Sequence, residues 1–363
     1  MVGCDAWGRG IPAAAPLSGE PTVVTIRPAS VTLVLFFAAT VAFFSVTAPR
    51  FATATNIENL MSGFSFVAIL AMGQAFPILV RGIDLSIGAI VGVVGMIVFD
   101  MTLIFHLPGY LILPAALIAG VFAGAVNGAL IVFLRLQPFI ATLATLAAYR
   151  GLIYAISGRQ LVPGLTTTPI RDPWIVGIET YFDIGGRLGV SKLLPTPWFP
   201  LSFFIMLAVF AVFQTLLIRT RFGRDVYAVG GNSEAARLAG IDVRVVTLAA
   251  YAIAGFCAAI AALILVARFT TSTEALGAGM ELTAIASAVI GGVSLTGGVG
   301  SMFGPAVGAF LLGAVLLGLT LEGVPQFVQQ ITTGVVLLAA VGYDRLLLLR
   351  RKSRHAVGSA EAG

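Results

Sequence analysis

The sequence predicts an all-α, polytopic integral membrane protein of about ten transmembrane helices, some of them broken, with the two halves related as an inverted repeat. Of 363 residues 58% are apolar and only 10% charged, against about a quarter charged in soluble domains. A water-exposed surface cannot be built from that composition. Apolar runs near the length of a bilayer-spanning helix recur along the chain. The 42 glycines suit helices that pack closely in lipid, where small residues let backbones approach.

Residues 1–28 are rich in Pro, Gly and Ala and read as a loose cytoplasmic tail. From Ala29 to Ala48 no charge interrupts 20 residues, which at about 1.5 Å per residue spans a bilayer core. A cleaved signal peptide would carry an apolar core of about 7 to 15 residues, so this longer, later run predicts a first spanning helix. Further runs follow at roughly 60–80, 84–105, 107–134, 138–156, 199–218, 246–267, 282–296, 303–321 and 326–343. Glycine and proline puncture two of them, at Gly82 to Gly88 and at Gly297 to Gly308. Such breaks are tolerated only where protein or a polar cavity surrounds the backbone, and one in each half suggests an inverted repeat around a central pathway.

Counting Lys and Arg orients the chain. With a cytoplasmic N-terminus, fourteen fall inside: Arg9, Arg27, Arg81, Arg135, five from Arg219 to Arg244, and Arg345, Arg350, Arg351, Lys352 and Arg354. Six fall outside, four of them in one long loop. Both termini are expected in the cytoplasm. The domain plan is a single membrane domain over 29–345, with an external loop at 157–198, a cytoplasmic loop at 219–245, and a basic cytoplasmic tail at 346–363. Five prolines, Trp174 and Trp198 give the external loop turns, short elements and interfacial aromatics.

Several function classes are excluded. Cys4 and Cys257 lie far apart, and His106 and His355 are the only histidines, so no metal, redox or triad spacing exists. No enzyme activity, no metal and no cofactor are expected on this chain. The net charge of +5 sits beside apolar runs, which points to membrane lipid and not to nucleic acid.

The cytoplasmic loop encodes a complete short helix. Asn232 can cap its start, Ser233 follows, Glu234 suits the first turn, Arg237 the last, and Gly240 the left-handed stop. A helix lying on lipid would show large apolar residues and a Lys-rich face. Here small Ala235, Ala236 and Ala239, beside Leu238, are shaped for a protein groove.

The run Gly230 to Ile241 resembles the coupling loop of permeases in the ribose-type, monosaccharide family of ATP-binding-cassette importers. Three other segments agree in order: Gly82 to Ser86; Gln137 to Leu143 with Tyr149 to Gly151; and Gly279 to Ala286 running on to Gly298. Together they cover roughly residues 57 to 345. Gly185 to Leu188 and Arg219 to Gly223 are similar to the branch that includes the second permease of the galactofuranose importer. Arg81, Thr283 and Val299 depart from the family's usual glycine, aspartate and basic residue. The resemblance implies a translocation subunit in a bacterial inner membrane, working with a second permease copy or paralogue, an extracytoplasmic sugar-binding protein and a separate ATPase subunit that holds ATP and Mg. No Walker lysine motif occurs in this sequence.

Polar residues inside spans are the pathway candidates, since each costs free energy in lipid unless it faces a cavity or partner. They are Gln74, Asp84, Ser86, Asn127, Thr142, Thr145, Tyr149, Arg150, Glu281, Ser287 and Ser294. Most are neutral, which suits a hydroxyl-rich ligand. Asp84 and Glu281, at span edges, are expected to cap helices or pair with Arg81 or Arg268. Arg150 lies deeper and needs an ion-pair partner or a cavity. Two alternatives stay open: a permease for another small polar solute such as a branched-chain amino acid, and a gradient-driven secondary sugar transporter.

Overall fold

A computed structural model of the chain describes residues 28–157, 169–182 and 199–342. The tail over 1–27, the basic tail from 346 and most of the external loop lie outside the described residues. The helices are α1 (Pro28–Thr47), α2 (Ala54–Leu79), α3 (Ile87–Leu103), α4 (Gly109–Phe133), α5 (Pro138–Ile156) and the short α6 (Pro173–Val176). After them come α7 (Leu201–Arg219), α8 (Arg221–Gly231), α9 (Ser233–Leu238), α10 (Val243–Phe269), α11 (Met280–Ile290), α12 (Phe303–Leu321) and α13 (Gln326–Gly342). A helix thus occupies each of the ten apolar runs. Six of them, α2, α4, α5, α7, α10 and α12, are long and apolar enough to cross a membrane.

The centre is built from α2 and α10. Both are buried over most of their length, which fits helices apolar all round. Around them stand α4, α3, α7, α11 and α12, with α1 outermost against α12. Lipid offers no hydrophobic drive between helices, so association depends on close packing. Gly120, Gly124 and Gly128, one turn apart on α4, supply it: Cβ atoms there would lie 2.4 Å from the Gly255 carbonyl oxygen, 2.2 Å from that of Tyr251 and 2.8 Å from the Leu248 Cα.

Two runs are shorter helices than the sequence suggests. The run at 84–105 becomes helical only at Ile87, and that at 282–296 stops at Ile290. Irregular backbone fills 80–86, 270–279 and 291–302. The second expected break is displaced: Gly304, Pro305 and Gly308 lie inside α12. Proline is tolerated in a first turn, whose amides have no intrahelical partner. There Gly304 and Gly308 admit α11, their would-be Cβ atoms falling 1.8 Å from the Gly291 oxygen and 2.2 Å from that of Ser287.

In the 157–198 loop, Asp172 caps α6 by accepting from the Trp174 and Ile175 amides and also accepts from the Gly109 amide at 3.0 Å. One carboxylate therefore ties the external loop to the start of α4. Trp174 stays 59% exposed, edge-on to Tyr110, as an interfacial aromatic would. A two-residue antiparallel pairing, Tyr181 with Pro200 and Phe182 with Phe199, closes the loop.

Candidate coupling and pathway site

The helix of the 219–245 loop is assembled by local chemistry. Thr220 ends α7 and caps α8, its hydroxyl accepting from the Gly223 amide at 3.2 Å. Asn232 caps α9, accepting from the Glu234 and Ala235 amides at 3.1 Å each. Gly240, at φ 84°, reverses the chain, and the Ile241 amide returns to the Ala236 carbonyl at 3.0 Å. Asp242 then caps α10 through the Arg244 and Val245 amides. Arg237 and Glu234 pair across one turn at 2.5 Å, and this hydrogen bond and charge hold the Glu234 carboxyl below its ordinary range.

The alanine face is divided. Ala236 turns inward, 4% exposed, onto the cluster that holds Val226 and Val229, while Ser233, Ala235 and Ala239 face solvent. Leu238 is the large apolar side chain left outside, 75% exposed. Sequence reasoning gave Leu238 no special weight, because its orientation is set by the inward turn of Ala236.

Immediately before α9, the carbonyls of Gly230 and Gly231 accept from the Arg81 guanidinium, Nε to Gly230 at 2.6 Å and Nη2 to Gly231. Gly230 packs onto the end of α2: a Cβ there would lie 1.8 Å from the Leu79 carbonyl oxygen and 2.4 Å from the Gly298 nitrogen. The Gly298 amide donates to Leu79 at 2.9 Å, and the Tyr227 hydroxyl donates to the Gly300 carbonyl at 2.8 Å. Thus α8, the 80–86 break and the 291–302 loop meet at one joint. Arg81 does not pair with Asp84, correcting that expectation. Its φ of 66° lies in the left-handed region, which glycine enters freely and arginine rarely adopts.

Beside this joint five of the pathway candidates, Gln74, Asp84, Ser86, Asn127 and Thr142, converge. The Asp84 carboxylate, fully buried, accepts from the Ser86 amide at 2.9 Å, the Ser86 hydroxyl at 2.7 Å and Asn127 Nδ2 at 3.3 Å. Asn127 also donates to the Ser86 hydroxyl at 2.7 Å. The Gln74 amide brackets the Asp84 backbone, donating to its carbonyl at 3.1 Å and accepting from its nitrogen at 3.0 Å. Thr142 donates to the Ile83 carbonyl at 3.1 Å and Thr145 to that of Thr142 at 3.2 Å. The network leaves Asn127 Oδ1 buried without a partner, and its remaining bonds tie the 80–86 break to α2, α4 and α5. Tyr251, unannounced by the sequence, lies beside it: it is fully buried, and its hydroxyl, without a hydrogen-bond partner, fills the space a Cβ on Gly82 would take.

The remaining candidates lie apart. Tyr149 donates to the Ala123 carbonyl at 2.9 Å. Arg150 donates to the carbonyls of Leu276 at 3.0 Å and Glu274 at 3.3 Å, so its partner is backbone and not a carboxylate. Ser287 donates to its own helix at Thr283, and Ser294 pairs with Thr296. Glu281 sits in the first turn of α11 with Oε2 buried and without a hydrogen-bond partner. Arg268, its expected partner, instead donates to Ser62 and faces Glu179. Burial raises the Glu179 carboxyl and Arg268 opposes that rise.

The arrangement joins an exposed helix to a buried polar network through backbone contacts. Among the described residues it brings no nucleophile and base together. The chain is 38% identical over 307 residues to the ribose import permease protein RbsC of Escherichia coli K12, covering 84% of this chain and 90% of that protein. It is 35% identical over 309 residues to the D-allose transport system permease protein AlsC of the same strain, covering 85% and 89%. With the xylose transport system permease protein XylH of that strain it shares 32% over 371 residues, covering 89% and 91%. No solved structure matches. Residues 56–341 match the family described as branched-chain amino acid transport system / permease component, and the chain belongs to that family.

Proposed function

We propose that this chain is the translocation subunit of an ATP-driven importer that carries a monosaccharide across the bacterial inner membrane. The observation that carries the reading is α9: a capped, rigid helix at the inner face with Leu238 75% exposed and its base bonded into the broken span. A partner ATPase, holding ATP and Mg, docks on Asn232 to Gly240 and drives them as a lever. A second permease copy or paralogue completes the pathway, and an extracytoplasmic sugar-binding protein delivers the ligand. In this reading all ten apolar helices span or half-span the bilayer, both termini face the cytoplasm, and the α3 and α11 half-spans belong to an inverted repeat.

Monosaccharide is favoured over a branched-chain amino acid on two grounds. The relatives named above are ribose, allose and xylose permeases. Among the described residues, Asp84 is held by neutral partners and Arg150 by carbonyls, whereas a zwitterion calls for paired charges in the cavity. Reconstitution with the ATPase and binding protein tests the reading: uptake of ribose, allose or xylose should require ATP, and gradient-driven uptake by the chain alone would sink it. Leu238→Asp should weaken ATPase association about tenfold, as loss of an interface anchor worth about 1.4 kcal/mol does. Co-purification titrated against ATPase concentration measures it.

A further inference from the structure

We propose that Arg81 is the positioning residue that carries movement of α9 into the buried Asp84 network. This rests on the ATP-driven reading above. The residue is placed by two independent features. Its backbone takes φ 66° one residue past the Val80 end of α2, which turns the side chain back towards α8. Its guanidinium then donates to two consecutive carbonyls, Gly230 and Gly231, and these directly precede the Asn232 cap of α9.

Arginine suits this task because its planar fork offers several donors in fixed geometry, whereas lysine offers one compact ammonium. The surroundings leave little slack. A Cβ on Gly297 would lie 2.4 Å from the Arg81 Cγ, so the 291–302 loop closes over the side chain. Three residues on, Asp84 is gripped through its backbone by Gln74 and through its carboxylate by Ser86 and Asn127. Between the fork and that grip lie only Gly82 and Ile83, the latter bonded to Thr142 of α5. Movement of the α8 end therefore pulls on a short, taut segment whose other end is fixed to α2, α4 and α5. A plain helix-capping role would need one carbonyl and no such connection.

The test uses the whole complex, with its ATPase and binding protein in vesicles, and reads sugar moved per ATP hydrolysed. Arg81→Gly keeps the backbone conformation and removes the fork. It should assemble normally and hydrolyse ATP within about twofold of wild type, while sugar moved per ATP falls at least fivefold. Arg81→Lys should fall between the two. An unchanged ratio in Arg81→Gly overturns the proposal, as does loss of assembly in Arg81→Gly together with an unchanged ratio in Arg81→Lys. Failure of the wild-type chain to couple to any ATPase overturns the underlying reading instead, and is seen before any variant is made.

Discussion

Single residues decide how closely backbones approach at the joint of α2 and α8, and neighbouring glycines there are not equivalent. A Cβ on Gly230 would lie 1.8 Å from the Leu79 carbonyl oxygen, but one on Gly231 meets nothing within 4 Å. Backbone cannot rotate away as a side chain can. Gly230→Ala should cost about 1–3 kcal/mol or more through overpacking, and Gly231→Ala should stay within about 0.5 kcal/mol. Thermal unfolding of the two variants in detergent measures the contrast, and equal melting points would mean that the α2–α8 contact is not close. The sequence distinguishes these glycines in no way, since both precede the same cap and the difference comes from α2, over 140 positions away. The same holds for Arg50, Arg81 and Arg135, which adopt φ of 62°, 66° and 55° just beyond α1, α2 and α4. Counted by side they are topology signals; in space they are also helix stops that set a cation near a negative helix end. Left-handed arginine is uncommon, and nothing in local sequence announces it.

At the scale of the element, α9 is the helix whose form is written almost entirely in its own residues. It has six residues, far too short to be stable from propensity alone, so its ends matter most. Asn232→Ala would strip the acceptor from the Glu234 and Ala235 amides, costing about 1 kcal/mol. Amide exchange across residues 234–239 should then speed up about fivefold, and unchanged protection would mean that α8 and Ala236 hold the helix without its cap. Cap, charge order and glycine stop act within one turn and were legible in the sequence. What was not legible is which alanine faces inward, since that depends on Val226 and Val229 of α8. For the polar residues, burial cost identified that Gln74, Asp84, Ser86, Asn127 and Thr142 need partners, but not that they satisfy one another. The edge pairs expected for Asp84, Glu281 and Arg268 fail because opposite charges near each other in sequence position along spans need not share a depth or a face. The spacing of Gly120, Gly124 and Gly128 was an available signal for the α4–α10 contact, hidden by the overall abundance of glycine.

For the whole molecule, the consequential feature is where the two helices that follow irregular backbone, α3 and α11, begin. α3 starts at Ile87 and α11 at Met280, and their starts touch: a Cβ on Gly88 would lie 2.2 Å from Glu281 Oε2 and 2.4 Å from the Gly277 carbonyl oxygen. Each helix start carries a partial positive charge from its free amides. A carboxylate oxygen without a hydrogen-bond partner is tolerable there because two dipole ends stabilise it, which the absent Arg268 pairing would otherwise have to do. The two helix starts thus form a close-packed junction. Gly88→Ala inserts a methyl group into it and should lower stability by about 1–3 kcal/mol. If the junction also transmits movement, sugar uptake in vesicles should fall well beyond what the stability loss explains, while membrane insertion persists. Glu281→Gln, which keeps the shape and removes the charge, should reduce uptake as well, because a neutral amide gains less from the two helix ends. Uptake at wild-type rates in both variants would reduce the junction to packing alone and leave the joint at Arg81 as the route by which α9 reaches the broken spans.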